Sequence, residues 1–166
     1  MESVRIVGLC VLAAVTYGVV HDQFTARICV EYFTIGHPPL VPSESPTVLA
    51  LAWGVVATWW VGLPLGALLA VAARSGAKPK LLARELRRPI VRLLIAMAIG
   101  AALAGSVAYV LARTGVISLQ GRLATLVPAD RHARFLADLW AHSASYALGL
   151  TGGLAVCVST FRGRGR

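Results

Sequence analysis

The chain has 166 residues, of which 57% are hydrophobic and only 14% charged, with a formal net charge of +9. Water-soluble domains carry about 25% charged residues, so the composition excludes an ordinary soluble domain and points to one compact protein of the bilayer. The basic residues fall in blocks between apolar runs, as in cytoplasmic membrane loops, which argues against a nucleic-acid partner.

The first apolar run is Val4–Val20, about 17 residues and long enough for a spanning helix. No small-x-small cleavage site follows it, so it is expected to be a retained helix and not a signal peptide. The segment "HDQFTARICVEYFTIGHPPLVPSESP" then forms the first loop, residues 21–46, and contains a single Arg, Arg27.

Its proline-rich end cannot continue a helix. The second span runs from Thr47 to Ala73, with Pro64 inside it and a kink expected near Thr58–Trp60. The second loop, residues 74–89, carries Arg74, Lys78, Lys80, Arg84, Arg87 and Arg88. The third span is Ile90–Ala112. The loop after it carries Arg122, Arg131 and Arg134. The fourth span is Leu136–Phe161, in a helix that starts earlier, near Pro128. The tail adds Arg162, Arg164 and Arg166.

Four spans with both termini and the 74–89 loop in the cytoplasm fit the positive-inside rule, although the third loop is more basic than the rule favours. Small residues four apart suit close helix packing. They occur at Ala141, Ser145, Gly149 and Gly153, at Gly62 and Gly66, and at Ala96, Gly100 and Ala104. The expected fold is therefore an all-α integral membrane four-helix bundle, N-in/C-in, in contact with the lipid bilayer.

This orientation places His21, at the exit of the first helix, on the extracytoplasmic side of the membrane together with Asp138 and His142, at the entry of the fourth. Asp138 and His142 are four apart and share a helical face. An ionisable group at that depth is costly and marks a site by default. His21, Glu31, His37, Asp138 and His142 make a set of imidazoles and carboxylates suited to a divalent metal, iron or zinc. Glu31 and Asp138 can serve as ligands or proton acceptors, and Arg27 can hold an anionic substrate group. Asp138 can also act by orienting the His142 imidazole. The Glu-x-x-His pair of di-iron bundles is absent.

Plainer roles stand beside these. Asp138 can pair with Arg134, and Glu31 with Arg27, at four-residue spacing. Asp22 and Asp130 fit capping or solvated positions. His132 and Glu44 fit ordinary loop residues. Cys10, Cys29 and Cys157 form no CxxC pair and no disulfide framework. Trp53, Trp59 and Trp60 can line a quinone or lipid pocket, or simply anchor and pack the helices.

No Gly-x-Ser-x-Gly elbow, phosphate loop, zincin motif or dinucleotide fingerprint is present. The expected function is a metal-dependent membrane protein, an oxidoreductase. The alternatives are an electron carrier with haem b held by His21 and His142, or a non-catalytic subunit that docks on a membrane-protein partner or on a second copy of itself.

The pattern His-Asp-Gln-x-Thr-Ala-Arg-x-Cys-x-Glu-Tyr-Phe-Thr-x-Gly-His-Pro, His21–Pro38, resembles one in a family of uncharacterised bacterial inner-membrane proteins. The resemblance covers the first loop and extends to "LADLWAHSASY" at the start of the fourth helix. It implies a multi-pass protein of the bacterial inner membrane and assigns no residue a role.

Overall fold

The computed structural model describes residues 1–164; Gly165 and Arg166, the end of the basic tail, lie outside the described residues. Seven α-helices follow in order: α1 Glu2–Ile28, α2 Val30–Thr34, α3 Pro46–Val56, α4 Trp59–Arg74, α5 Ala83–Arg113, α6 Gly121–Leu126 and α7 His132–Gly163. No strand occurs among the described residues. Four helical segments are long and apolar enough to cross a membrane: Glu2–Ile28, Pro46–Arg74, Ala83–Arg113 and Ala129–Gly163.

The helix ends differ from those read off hydropathy. Apolarity stops at Val20, yet α1 continues to Ile28. The segment "HDQFTARI" contains no Gly or Pro, and its polar side chains bond back onto the helix. Thr25 Oγ1 donates to the His21 carbonyl at 3.3 Å. Arg27 donates to the Gln23 carbonyl at 2.6 Å. Cys29, extended at φ −149° and ψ 94°, ends the helix, and α2 adds a further turn. The expected loop 21–46 therefore shrinks to the segment between α2 and α3.

The basic loop 74–89 shrinks in the same way, because α5 starts at Ala83 and not at Ile90. Glu85 accepts a hydrogen bond from the Leu82 N–H at 2.8 Å, and Glu2 accepts one from the Ala83 N–H at 2.9 Å. Orphan donors at the start of α5 are thus satisfied by carboxylates.

The second span breaks where a kink is expected. The helix is interrupted at Ala57 and Thr58, nearly two turns ahead of Pro64, whose missing N–H leaves the Trp60 carbonyl without its helical partner. Thr58 Oγ1 donates to the Gly54 carbonyl at 2.6 Å beside the break.

The long helices pack side by side. α5 lies along α7, α1 lies along both α3 and α4, and α4–α7 and α1–α5 contacts close the arrangement. The small stripe of α7, Ala141, Ser145, Gly149 and Gly153, is buried throughout. Gly62 and Gly66 are buried against α1. On α5 the buried stripe is Ala101, Gly105 and Ala108, while Ala96 faces outward. α1 crosses α3 backbone to backbone, where a Cβ on Gly54 would lie 2.5 Å from the Val19 Cα.

Large apolar side chains face out along all four segments, among them Leu12, Val71, Leu103 and Leu150. The start of α1, the end of α7 and the α4–α5 connection gather at one end of the molecule, where Arg164 donates to the Ala73 and Ser75 carbonyls and Glu2 meets Ala83. The ionisable cluster lies at the other end, where α1 finishes and α7 begins.

Candidate metal centre

Helix α1 buries Gly18, Asp22, Thr25 and Ala26 on one face, and α7 buries Asp138, Ala141 and Ser145. The faces are tied by Tyr17 and Ser145, whose hydroxyls lie 2.7 Å apart. The Tyr17 ring stacks on His21 at 5.6 Å, one turn further along α1. His21 in turn meets His142 edge to face, with ring centroids 4.6 Å apart.

His142 is held from both sides. Its Nδ1 lies 2.8 Å from the Asp138 carbonyl oxygen. A carbonyl can only accept, so Nδ1 carries the hydrogen. In the neutral ring Nε2 is then a bare lone pair, and it faces Asp22 Oδ1 at 3.2 Å. Two acceptors face each other there, and a cation must come between them: a proton or a metal ion. Both side chains are shielded, at 12% exposure for His142 and 7% for Asp22. His21 Nε2 is buried with no partner among the described residues. One ligand atom each from His21, Asp22 and His142 lies within 4.8 Å of the others.

Of the five residues expected to ligate, His21 and His142 enter this group, and Glu31, His37 and Asp138 do not. Glu31 sits on α2, beyond the turn at Cys29. It lies 3.5 Å from Arg131 and accepts the Cys29 thiol hydrogen at 3.3 Å. His37 Nδ1 lies 2.8 Å from the Tyr32 carbonyl. Asp138 is 1% exposed, and both its carboxylate oxygens lack a partner among the described residues. It serves His142 through its backbone carbonyl, and no ion pair joins it to Arg134. Arg27 contacts neither Glu31 nor the cluster; it donates to Gln23 and to Thr47 at 2.7 Å, tying α1 to the start of α3.

Asp22 is the residue that hydropathy conceals. With α1 ended at Val20 it falls at a solvated exit. With α1 continued it lies one turn beyond Gly18 on the buried face. His132 keeps a structural role, its Nε2 lying 2.9 Å from the Val127 carbonyl.

An aromatic shell surrounds the cluster. Tyr32 stacks on His142 at 4.5 Å, Phe33 meets the same ring at 5.7 Å, and His37 contacts Trp53 at 4.9 Å. Burial, then the neighbouring Tyr146, Asp138 and Asp22, push the Tyr32 phenol well above its ordinary range. Burial, then the Glu31 carboxylate bound to its thiol, push Cys29 up to about 12. Both groups stay protonated at neutral pH. A cavity of about 360 Å³ opens beside the cluster, lined by His21, Asp22 and His142 together with Tyr17, Tyr32, Trp53 and Tyr146.

Fold and site together define a class: an all-helical protein with four helical segments able to span a membrane and a His–Asp–His group able to hold a metal ion. No protein-family model, curated protein or solved structure matches the chain.

Proposed function

We propose that the chain is an integral membrane four-helix bundle of the bacterial inner membrane, N-in/C-in, that binds a divalent metal, iron or zinc, through His21, Asp22 and His142. The outward apolar side chains support insertion, since lipid and not water satisfies them. The basic connection around Lys78 and Lys80 lies with the start of α1 and the end of α7, which supports a cytoplasmic location for that end. At the opposite end Arg131 is engaged with Glu31 and Asp130, and Arg27 with Gln23 and Thr47.

The observation that carries the metal reading is that two acceptors, His142 Nε2 and Asp22 Oδ1, face each other at 3.2 Å beside the buried, unpartnered Nε2 of His21. Two imidazoles and a carboxylate are borderline ligands suited to iron or zinc. Three protein ligands leave a coordination position for a small reactant. Donors that would share a tetrahedral ion lie roughly 3.4 Å apart, close to the 3.2 Å between His142 Nε2 and Asp22 Oδ1.

The bound metal would supply Lewis-acid or redox chemistry. The protein fixes the His142 tautomer through the Asp138 carbonyl, seats His21 on Tyr17 and excludes bulk water with Tyr32 and Phe33. The activity that fits is that of a metal-dependent oxidoreductase. Haem is disfavoured, because the His21 and His142 rings meet edge to face at 4.6 Å, too close for a porphyrin between them.

Metal analysis of protein purified from membranes tests this function. One equivalent of iron or zinc is expected, lost in His21→Ala and in His142→Ala. Metal-free wild-type protein that takes up neither ion on incubation sinks it.

A further inference from the structure

We propose that the cavity beside His142 binds a neutral, flat, carbonyl-bearing ring with an apolar tail, a compound of the quinone class. Size and shape come first. About 360 Å³ lies within the range of small-molecule sites. Tyr17, Tyr32, Phe33, Trp53 and Tyr146 present aromatic surface to it, which favours a flat ring through offset or edge-to-face contacts.

Charge narrows the choice. No Lys or Arg lines the cavity, and its one carboxylate is Asp22. With no Lys or Arg side chain to meet a phosphate, and Asp22 already able to balance part of the charge of a bound metal, an uncharged occupant has the lower desolvation cost. Hydrogen bonding narrows it further. Trp53 Nε1 is buried with no partner among the described residues. An indole N–H can only donate, and Trp53 stands in the cavity wall, so an occupant with a ring carbonyl would offer the acceptor it lacks once the indole turns toward it.

The mouth accounts for the tail. Val56, Trp60 and Tyr146 line the cavity and are 42%, 55% and 41% exposed on the outer surface of the helices. The break at Ala57 and Thr58 lies beside this mouth, and Tyr146 donates its hydroxyl to the Ala57 carbonyl at 3.0 Å. A ring held at Trp53 can therefore trail its chain sideways into the acyl region.

Binding follows from the cavity alone; that the ring is a substrate rests on the metal-dependent function proposed above. Titration with decylubiquinone in nanodiscs, followed by tryptophan quenching, tests the binding. Saturable quenching is expected. Trp53→Phe keeps the ring and removes the donor, and should raise the half-saturation concentration about tenfold, the loss expected for a buried hydrogen bond. Trp60 at the mouth remains as a reporter in that variant. Trp59→Phe, outside the cavity, should bind as wild type. Photolabelling of the wild-type protein with an azido-quinone should mark peptides containing Tyr17–Asp22 or His142–Gly149. Non-saturable quenching, unchanged affinity in Trp53→Phe, or labelling elsewhere overturns the inference. Metal content of the same preparations separates the two outcomes: quinone binding lost with metal retained sinks only this proposal.

Discussion

His142 Nε2 and Asp22 Oδ1 face each other at 3.2 Å, across two helices and more than a hundred residues of chain. The Asp138 carbonyl takes the only hydrogen of the neutral imidazole, so the pair depends on a shared cation. Asp22→Asn keeps the shape of the side chain and removes its charge. Metal affinity should fall at least about tenfold, the lower range for disturbing a metal site, while Asp22→Glu should retain part of it. Competition against a chelating indicator reads the change. Full affinity in Asp22→Asn would remove Asp22 from the ligand set.

Tyr17 and Ser145 carry the other link between these helices, at 2.7 Å. Tyr17→Phe leaves the ring stacked on His21 and removes only the hydrogen bond. Within bilayers such bonds average about 0.6 kcal/mol and reach about 1.7 kcal/mol. A double-mutant cycle with Ser145→Ala, read by denaturant unfolding in micelles, should return a coupling in that range. Metal affinity should stay within a few-fold of wild type, because the imidazole keeps its platform.

The parts legible in the sequence are those that depend on long-range averages. Four apolar runs announce four helices, because a spanning helix needs length and apolarity more than any single residue. His142 is visible because an imidazole inside such a run needs a reason. Helix ends are less legible, since polarity stops the hydropathy signal at Val20 while the backbone continues to Ile28. That difference conceals Asp22, while Glu31 and His37 resemble ligands by residue type alone. Nothing local reveals that Glu31 meets Arg131, or that the turn at Cys29 carries α2 away from the cluster.

The α1–α3 crossing rests on glycine. A Cβ on Gly54 would lie 2.5 Å from both the Val19 N and Cα, and backbone cannot swing aside as a side chain can. Gly54→Ala should cost about 1–3 kcal/mol through overpacking. It should also loosen the cavity wall next to Trp53. Gly8→Ala, with nothing within 4 Å of the added atom, should be neutral or slightly stabilising because alanine favours helix. Thermal unfolding of the two variants in one detergent distinguishes them.

Cys29 should be a poor nucleophile. With its thiol pushed up to about 12 from an ordinary 9.0, the thiolate fraction at pH 8 falls by about a thousandfold, and alkylation depends on thiolate. Iodoacetamide should modify it at least about a hundredfold more slowly than glutathione, with full reactivity after denaturation. Glu31→Gln removes the carboxylate that holds the thiol hydrogen and should speed the reaction. The sign for stability follows. The unfolded thiol titrates first, so the contribution of Cys29 is complete below pH 9 and declines as pH rises toward 12.

Orientation can be read by the same chemistry. Thr34 and Ala77 are exposed at opposite ends of the molecule, one on α2 near the metal group and one in the basic connection between α4 and α5. With Cys10, Cys29 and Cys157 replaced by Ala, Thr34→Cys should react with a membrane-impermeant maleimide in intact spheroplasts. Ala77→Cys should react only after permeabilisation. The reverse pattern would place the metal group in the cytoplasm. It would also mean that Arg122, Arg131 and Arg134, and not the block around Lys78 and Lys80, set the direction of insertion.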